Sequence, residues 1–344
     1  MRKLLPFVLF AAASNPLCVQ PEAPNTGQNT QSTSSVPDQP RRETLPALSE
    51  DSYFLDPPLN ASLRPAPNLA EQRRILANVV DYVGSITHRL PNFFADRTTN
   101  HLEDSPRVYE FHQEPPARFT PTRLVSTAHA RVTYRNGKEE VEPLPRKKYK
   151  NLQTEYGLNA WGVFGPILST VIVDAAHGSV TWAGWTHNPS EPLAVFRYSV
   201  PMQASDYGVK FCCVSTGGPV LSGLDRRTAY HGVLVVHPDT GAILQLTVQA
   251  DLDKGDLATL LGEAVEGYPL QRADLWIQYG PVQIAGRTYN LPLQSVAITC
   301  ARTVVADRKS LQQLGPLKTF INKAGFTNYH EFRSESRIIV TGAP

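Results

Sequence analysis

Gly232-Val233-Leu234-Val235-Val236-His237-Pro238-Asp239-Thr240-Gly241 is followed by Ala242-Ile243-Leu244-Gln245-Leu246-Thr247-Val248-Gln249-Ala250. The first apolar run ends at four residues that each suit a turn. Proline fixes φ, aspartate and threonine bond back to the local backbone, and glycine accepts positive φ. On the return, Ala242, Leu244, Leu246, Val248 and Ala250 alternate with Gln245, Thr247 and Gln249. A period of two with one wet and one dry face is an antiparallel hairpin lying on a core.

The same signal recurs in both directions. Leu124, Ala128, Ala130, Val132 and Tyr134 alternate with Val125, Thr127, His129, Arg131 and Thr133, then meet Asn136-Gly137. Asn-Gly is the strongest two-residue hairpin signal, because both positions tolerate positive φ, so residues 139–144 should return antiparallel. Further strands are expected at 180–185, 194–200, 207–214, 275–279, 291–303 and 337–340. Two segments read as helix. Leu69, Leu76, Val79, Val80, Val83, Ile86 and Leu90 recur at steps of three and four before Pro91, with Asn68 as cap and Glu71 completing a capping-box pattern. Residues 163–176 read as a second, shorter helix. The class is mostly β (α+β), a meander of roughly eight to eleven antiparallel strands with short connections.

The 344 residues carry a formal net charge of +2, with 33 basic and 31 acidic residues. The densest basic run, Arg146-Lys147-Lys148-Tyr149-Lys150, reads as a solvated loop. Nothing here has the one-sided basic footprint of a nucleic-acid binder. Arg2 and Lys3 precede an apolar run over 4–13 and small residues, the pattern of a signal peptide over 1–14. A membrane span needs about 20 apolar residues, more than any segment offers. The expected location is therefore exported, periplasmic or secreted. Lipid anchoring at Cys18 is disfavoured, because Asn15-Pro16-Leu17 supplies poor small-residue context. Residues 15–67 are rich in Pro, Ser, Thr, Gln and Asn and read as a disordered tether, which leaves 68–344 as one domain.

The cysteines Cys212, Cys213 and Cys300 have no zinc-site spacing, and an oxidising compartment permits one disulfide. Cys300 shares a strand face with Val296 and Ile298, and Cys213 shares one with Val209 and Phe211, so Cys213–Cys300 is the expected pair over Cys212–Cys300. His231 and His237 sit at even spacing, which a metal could use but surface strand ends explain. Ser215-Thr216-Gly217-Gly218-Pro219 lacks the helix and Lys-Ser/Thr of a phosphate loop, and no GxSxG elbow occurs. No catalytic residue, metal site or cofactor is expected, and the chain reads as a non-enzyme. Trp161, Phe164, Trp182, Trp185, Phe196, Tyr198 and Trp276 cluster in the strand region. Core packing between sheet and helix explains them, and so does a lined apolar cavity, the usual form of a small-molecule site.

Residues 232–246 resemble a hairpin of the periplasmic lipoprotein-carrier family, which sorts outer-membrane lipoproteins. The stretch Tyr279-Gly280-Pro281-Val282-Gln283-Ile284-Ala285-Gly286-Arg287-Thr288-Tyr289-Asn290-Leu291-Pro292 is similar to that family's next hairpin. The likeness spans about residues 120–300 and extends to exported bacterial proteins of the same architecture. It implies an open half-barrel, a strongly curved antiparallel sheet with the long helix on its concave face. It further implies a cell-envelope carrier of an apolar, lipid-like ligand, with a lipidated protein as partner and peripheral association with membrane. The other reading is a structural or protein-interaction module of the envelope with a filled core.

Overall fold

The computed structural model describes residues 49–55, 57–59, 64–104, 122–144, 157–158, 160–186, 191–212, 224–252, 270–306 and 312–332. Among them run α1 (Leu69–Arg89) and α2 (Pro166–Ala175), with strands β1 (Phe93–Glu103), β2 (Arg123–Arg135), β3 (Lys138–Pro143), β4 (Gly157–Leu158), β5 (Ser179–Trp185), β6 (Ala194–Val200), β7 (Gly208–Cys212), β8 (Leu224–Arg227), β9 (Ala229–Val236), β10 (Ile243–Asp251), β11 (Leu270–Ile284), β12 (Arg287–Ala306) and β13 (Gln312–Glu331). Ten strands form one antiparallel sheet in the order β3-β2-β1-β13-β12-β11-β10-β9-β6-β5, and β4, β7 and β8 form a second small sheet. The expected meander holds from β9 to β13. It is broken where β13 returns beside β1 and where β6 meets β9.

The hairpin at 232–250 forms as read, with Val236 opposite Ile243 and Leu234 opposite Leu246. Gly241 has φ 68°. A Cβ there would lie 2.1 Å from the Asn78 carbonyl oxygen, so the turn needs glycine to close against α1. Asn78 Nδ2 donates to the carbonyls of Pro238 (3.0 Å) and Asp239 (3.1 Å), which fixes the helix on this turn. Asn136 and Gly137 take φ 51° and 78° and join β2 to β3.

Asn68 Oδ1 accepts the Glu71 N–H at 2.9 Å and starts α1. The Glu71 carboxylate does not return to the cap but pairs with Arg74 at 2.8 Å, so only half of the expected capping box exists. Ile75, Val79, Val83 and Ile86 are buried, while Leu69 and Val80 face solvent. In α2, Pro166 occupies the first turn, and Ile167, Leu168, Val171 and Ala175 are buried. Both helices join one core with the alternate residues of β6, β9, β10 and β11. A separate apolar cluster on the other side of β11–β13 holds Phe54, Trp276, Val296, Ile298 and Ile321.

Two expectations need correction. The folded chain reaches into residues 15–67: Ser49–Phe54 is a short 3₁₀ helix with Phe54 buried, and Leu59 bridges Thr186. Trp185 Nε1 also donates to the Pro65 carbonyl at 3.0 Å. Aromatic anchors inside a polar stretch supply the burial that its average composition hides. Second, β1 and β13 were not read as strands. In β1 the buried positions include Arg97, Thr99 and His101, which erase the apolar alternation. The strand expected at 337–340 lies outside the described residues, as do 1–48 with the signal segment and Cys18.

Candidate functional site

The seven aromatic candidates divide three ways. Phe164, Trp185, Phe196 and Tyr198 are buried in the main core, and Trp182 is partly buried against it. The β5–β6 register shifts between Trp182 and Gly184, and that irregularity turns both tryptophans to one side. Trp182 meets Trp185 at 4.9 Å and Phe196 at 5.2 Å, both edge to face. Phe164 packs on Phe93 (5.3 Å) and Phe326 (5.4 Å). Trp161 is exposed, with Lys210 Nζ 4.8 Å over its ring. Trp276 does not join them. Alternation along β11 sends Leu275, Ile277 and Tyr279 to the helices and Trp276 to the opposite face.

Tyr198 has a structural task. It stands opposite Gly232 of β9, and its hydroxyl donates across that glycine to the Thr247 carbonyl at 2.5 Å. Thr247 Oγ1 in turn accepts the Val233 N–H at 2.7 Å. Nearby, the buried Asp174 of α2 accepts from Tyr230 Oη (2.9 Å) and from the Asp206 N–H (2.7 Å). Burial raises the Tyr198, Tyr207 and Tyr230 hydroxyls above the ordinary phenol range, so all three stay protonated donors.

Cys300 is a free, buried thiol 3.6 Å from Thr319 Oγ1, not half of the expected bridge; Cys213 lies outside the described residues. Burial pushes the thiol up to about 11, so it is a poor nucleophile. His231 pairs with Asp251 at 2.8 Å, and His237 Nδ1 accepts the N–H groups of Asp239 and Thr240. No metal-ligating cluster occurs among the described residues.

A buried relay was not legible beforehand. His101 Nδ1 meets Asn322 Oδ1 at 2.7 Å and its Nε2 meets Glu103 Oε1 at 2.7 Å, while Lys318 Nζ lies 2.5 Å from Glu103 Oε2. Asn322 Nδ2 donates to the Leu158 carbonyl, so its Oδ1 is left as an acceptor for His101. Two acceptors on one ring call for an imidazolium. Burial works against that charge, but the bonds to Glu103 and Asn322 outweigh it and raise the His101 pKa.

The arrangement with the most recognition chemistry is the back of β11–β13. The 3₁₀ helix Ser49–Phe54 lies on it. Tyr53 meets Trp276 at 4.7 Å between ring centroids. Phe54 joins Trp276, Val296, Ile298 and Ile321, with Arg272 5.4 Å over its ring. Two ion pairs frame the contact, Glu50–Lys323 at 2.7 Å and Asp51–Arg272 at 2.5 Å. Arg272 is held from its other side by Asp274 at 2.5 Å. Burial opposes the Glu50 carboxylate, yet bonds from Lys323 and Ser49 hold it below the ordinary range. At Asp274 burial prevails over Arg272 and raises the pKa. Sequence reasoning grouped Trp276 with the aromatics on the helix side of the sheet, and it missed Arg272, Lys323 and the acid–aromatic run Glu50-Asp51-Ser52-Tyr53-Phe54. That run was the available signal.

Comparison with protein-family models, with curated proteins and with solved structures finds no match to this chain.

Proposed function

We propose that the chain is an exported interaction module of the cell envelope with a filled core and no small ligand. One observation carries this. The aromatics that would line a ligand cavity, Phe164, Trp185, Phe196 and Tyr198, are all buried in the one apolar core that also holds the inward faces of both helices. A carrier needs apolar surface left free for its ligand. Here edge-to-face rings and the Tyr198–Thr247 hydrogen bond occupy it. Export rests on Arg2, Lys3 and the apolar run that follows.

The second reading is the carrier of a lipid-like ligand in a curved half-barrel. It is favoured by Trp182, which is only partly buried on the edge strand β5, and by the open sheet, whose two helices share one face. Trp185→Lys and Trp182→Lys separate the readings. Charge without a partner in a packed core costs several kcal/mol, so the filled-core reading expects Trp185→Lys to abolish cooperative unfolding, with wild type binding no fluorescent fatty acid at micromolar concentration. A Trp185→Lys protein that stays folded and loses acyl binding shown by wild type supports the carrier.

A further inference from the structure

We infer that the back of β11–β13 is a peptide-docking site, that Ser49–Phe54 is its resident ligand in cis, and that the partner it fits is a protein segment bearing two adjacent acids followed by an aromatic pair. This deepens the interaction reading and rests on it. The site has a divided chemistry. Trp276, Val296, Ile298 and Ile321 form an apolar floor, with Arg272 and Lys323 as cationic posts on either side. The resident matches it residue by residue: Glu50 to Lys323, Asp51 to Arg272, Tyr53 to Trp276, and Phe54 to the floor beneath the Arg272 guanidinium.

The helix is only six residues long, too short to hold its shape without the sheet. It therefore behaves as a bound peptide and not as part of the scaffold. Buried aromatics flanked by desolvated charges are the composition of an interaction hot spot. Because the resident is tethered, its effective concentration at the site is on the order of millimolar. A free peptide at micromolar concentration cannot displace it, so the site stays masked until the strap is weakened or a tighter segment of the same chemistry arrives.

The test uses the full chain and a fluorescein-labelled peptide of residues 46–56. Two strap variants unmask the site: Glu50→Lys, which removes one ion pair and leaves the apolar contacts, and the double change Tyr53→Ala, Phe54→Ala. Circular dichroism melts check that each is folded. The expected result is peptide binding to either variant at least tenfold tighter than to wild type. Adding Lys323→Glu to the double variant should weaken that binding roughly tenfold, the effect of one lost ion pair near apolar surface. A peptide with lysine in place of Glu50 should regain the loss. Equal binding to wild type and to folded strap variants overturns the inference, as does a Lys323→Glu change without effect. Concentration-dependent dimers of wild type that exchange the segment between copies overturn the cis assignment. If the peptide behaves as expected but wild type binds the acyl probe, the filled-core reading fails and the docking site stands. If the peptide fails and no acyl probe binds, only the docking site fails.

Discussion

Tyr53 and Trp276 lie with ring centroids 4.7 Å apart and planes inclined at 46°, joining the segment before α1 to the back of the sheet. With Phe54 they tie the Ser49–Phe54 segment to the sheet. The first expected outcome follows. Phe54→Ala removes a buried ring from a small cluster, so chemical denaturation should show a loss of about 2–4 kcal/mol. A loss within about 0.5 kcal/mol, the range of a surface change, contradicts the packing.

Gly232 and Tyr198 form the second pair. A Cβ on Gly232 would lie 1.9 Å from the Thr247 carbonyl oxygen and 2.7 Å from the Tyr198 hydroxyl. Gly232→Ala must therefore separate β9 from β10, and we expect a loss of about 3 kcal/mol or more, or no folded protein. Tyr198→Phe leaves the ring and removes one hydrogen bond, at about 1 kcal/mol. Equilibrium unfolding of both variants checks the order. A Gly232→Ala protein as stable as wild type is incompatible with this register.

Glu139 supplies a pH dependence. Its side chain faces Tyr134 across the β2–β3 ladder and reaches the Phe164 N–H at 3.4 Å, just before α2. Burial pushes the carboxyl up to about 7, against the lowering effect of the Phe164, Gly162 and Val163 N–H groups and Arg97. The folded state thus holds a proton that the unfolded chain releases near pH 4.5. Stability contributed by this group is full below pH 4.5 and falls as pH rises towards 7. Glu139→Gln should remove that decline, leaving a flatter melting temperature between pH 5 and 7. An unchanged slope contradicts the assignment.

His101 acts higher on the pH scale. Its raised pKa means the folded state keeps the imidazolium after the unfolded chain has lost it. Its stability is fully present below pH 6.5 and disappears as pH rises through the folded value. Because Asn322 also holds the Leu158 carbonyl, deprotonation should loosen β4 first. With intrinsic base-catalysed exchange divided out, the protection of the Gly157 and Leu158 amides should fall above neutral pH in wild type. In His101→Gln it should be low at every pH. Protection in wild type that is high and independent of pH contradicts the relay.

The hairpins were legible because turn chemistry is local: Pro238–Gly241 and Asn136–Gly137 each carry the φ values their turn needs. The helix 69–89 was legible from its repeat. β1 was not, because its inward side carries Arg97, Thr99 and His101, which break the apolar alternation, and His101 meets Asn322, a partner distant in sequence. Ser49–Phe54 was hidden for the same reason, since Glu50 and Asp51 look like solvent residues until Lys323 and Arg272 are placed opposite them. Trp276 was assigned to the wrong face because a tally of aromatics ignores alternation with its neighbours Leu275 and Ile277. The buried aromatics were identified from the sequence, but whether rings fill a space or line one depends on how closely strands and helices approach.

The filled core proposed for this chain is tested most directly by native mass spectrometry of the full-length chain purified without detergent or organic solvent. The account predicts the mass of the polypeptide alone, with no adduct released on collisional activation. A stoichiometric acyl-chain adduct that survives transfer into the gas phase would contradict it.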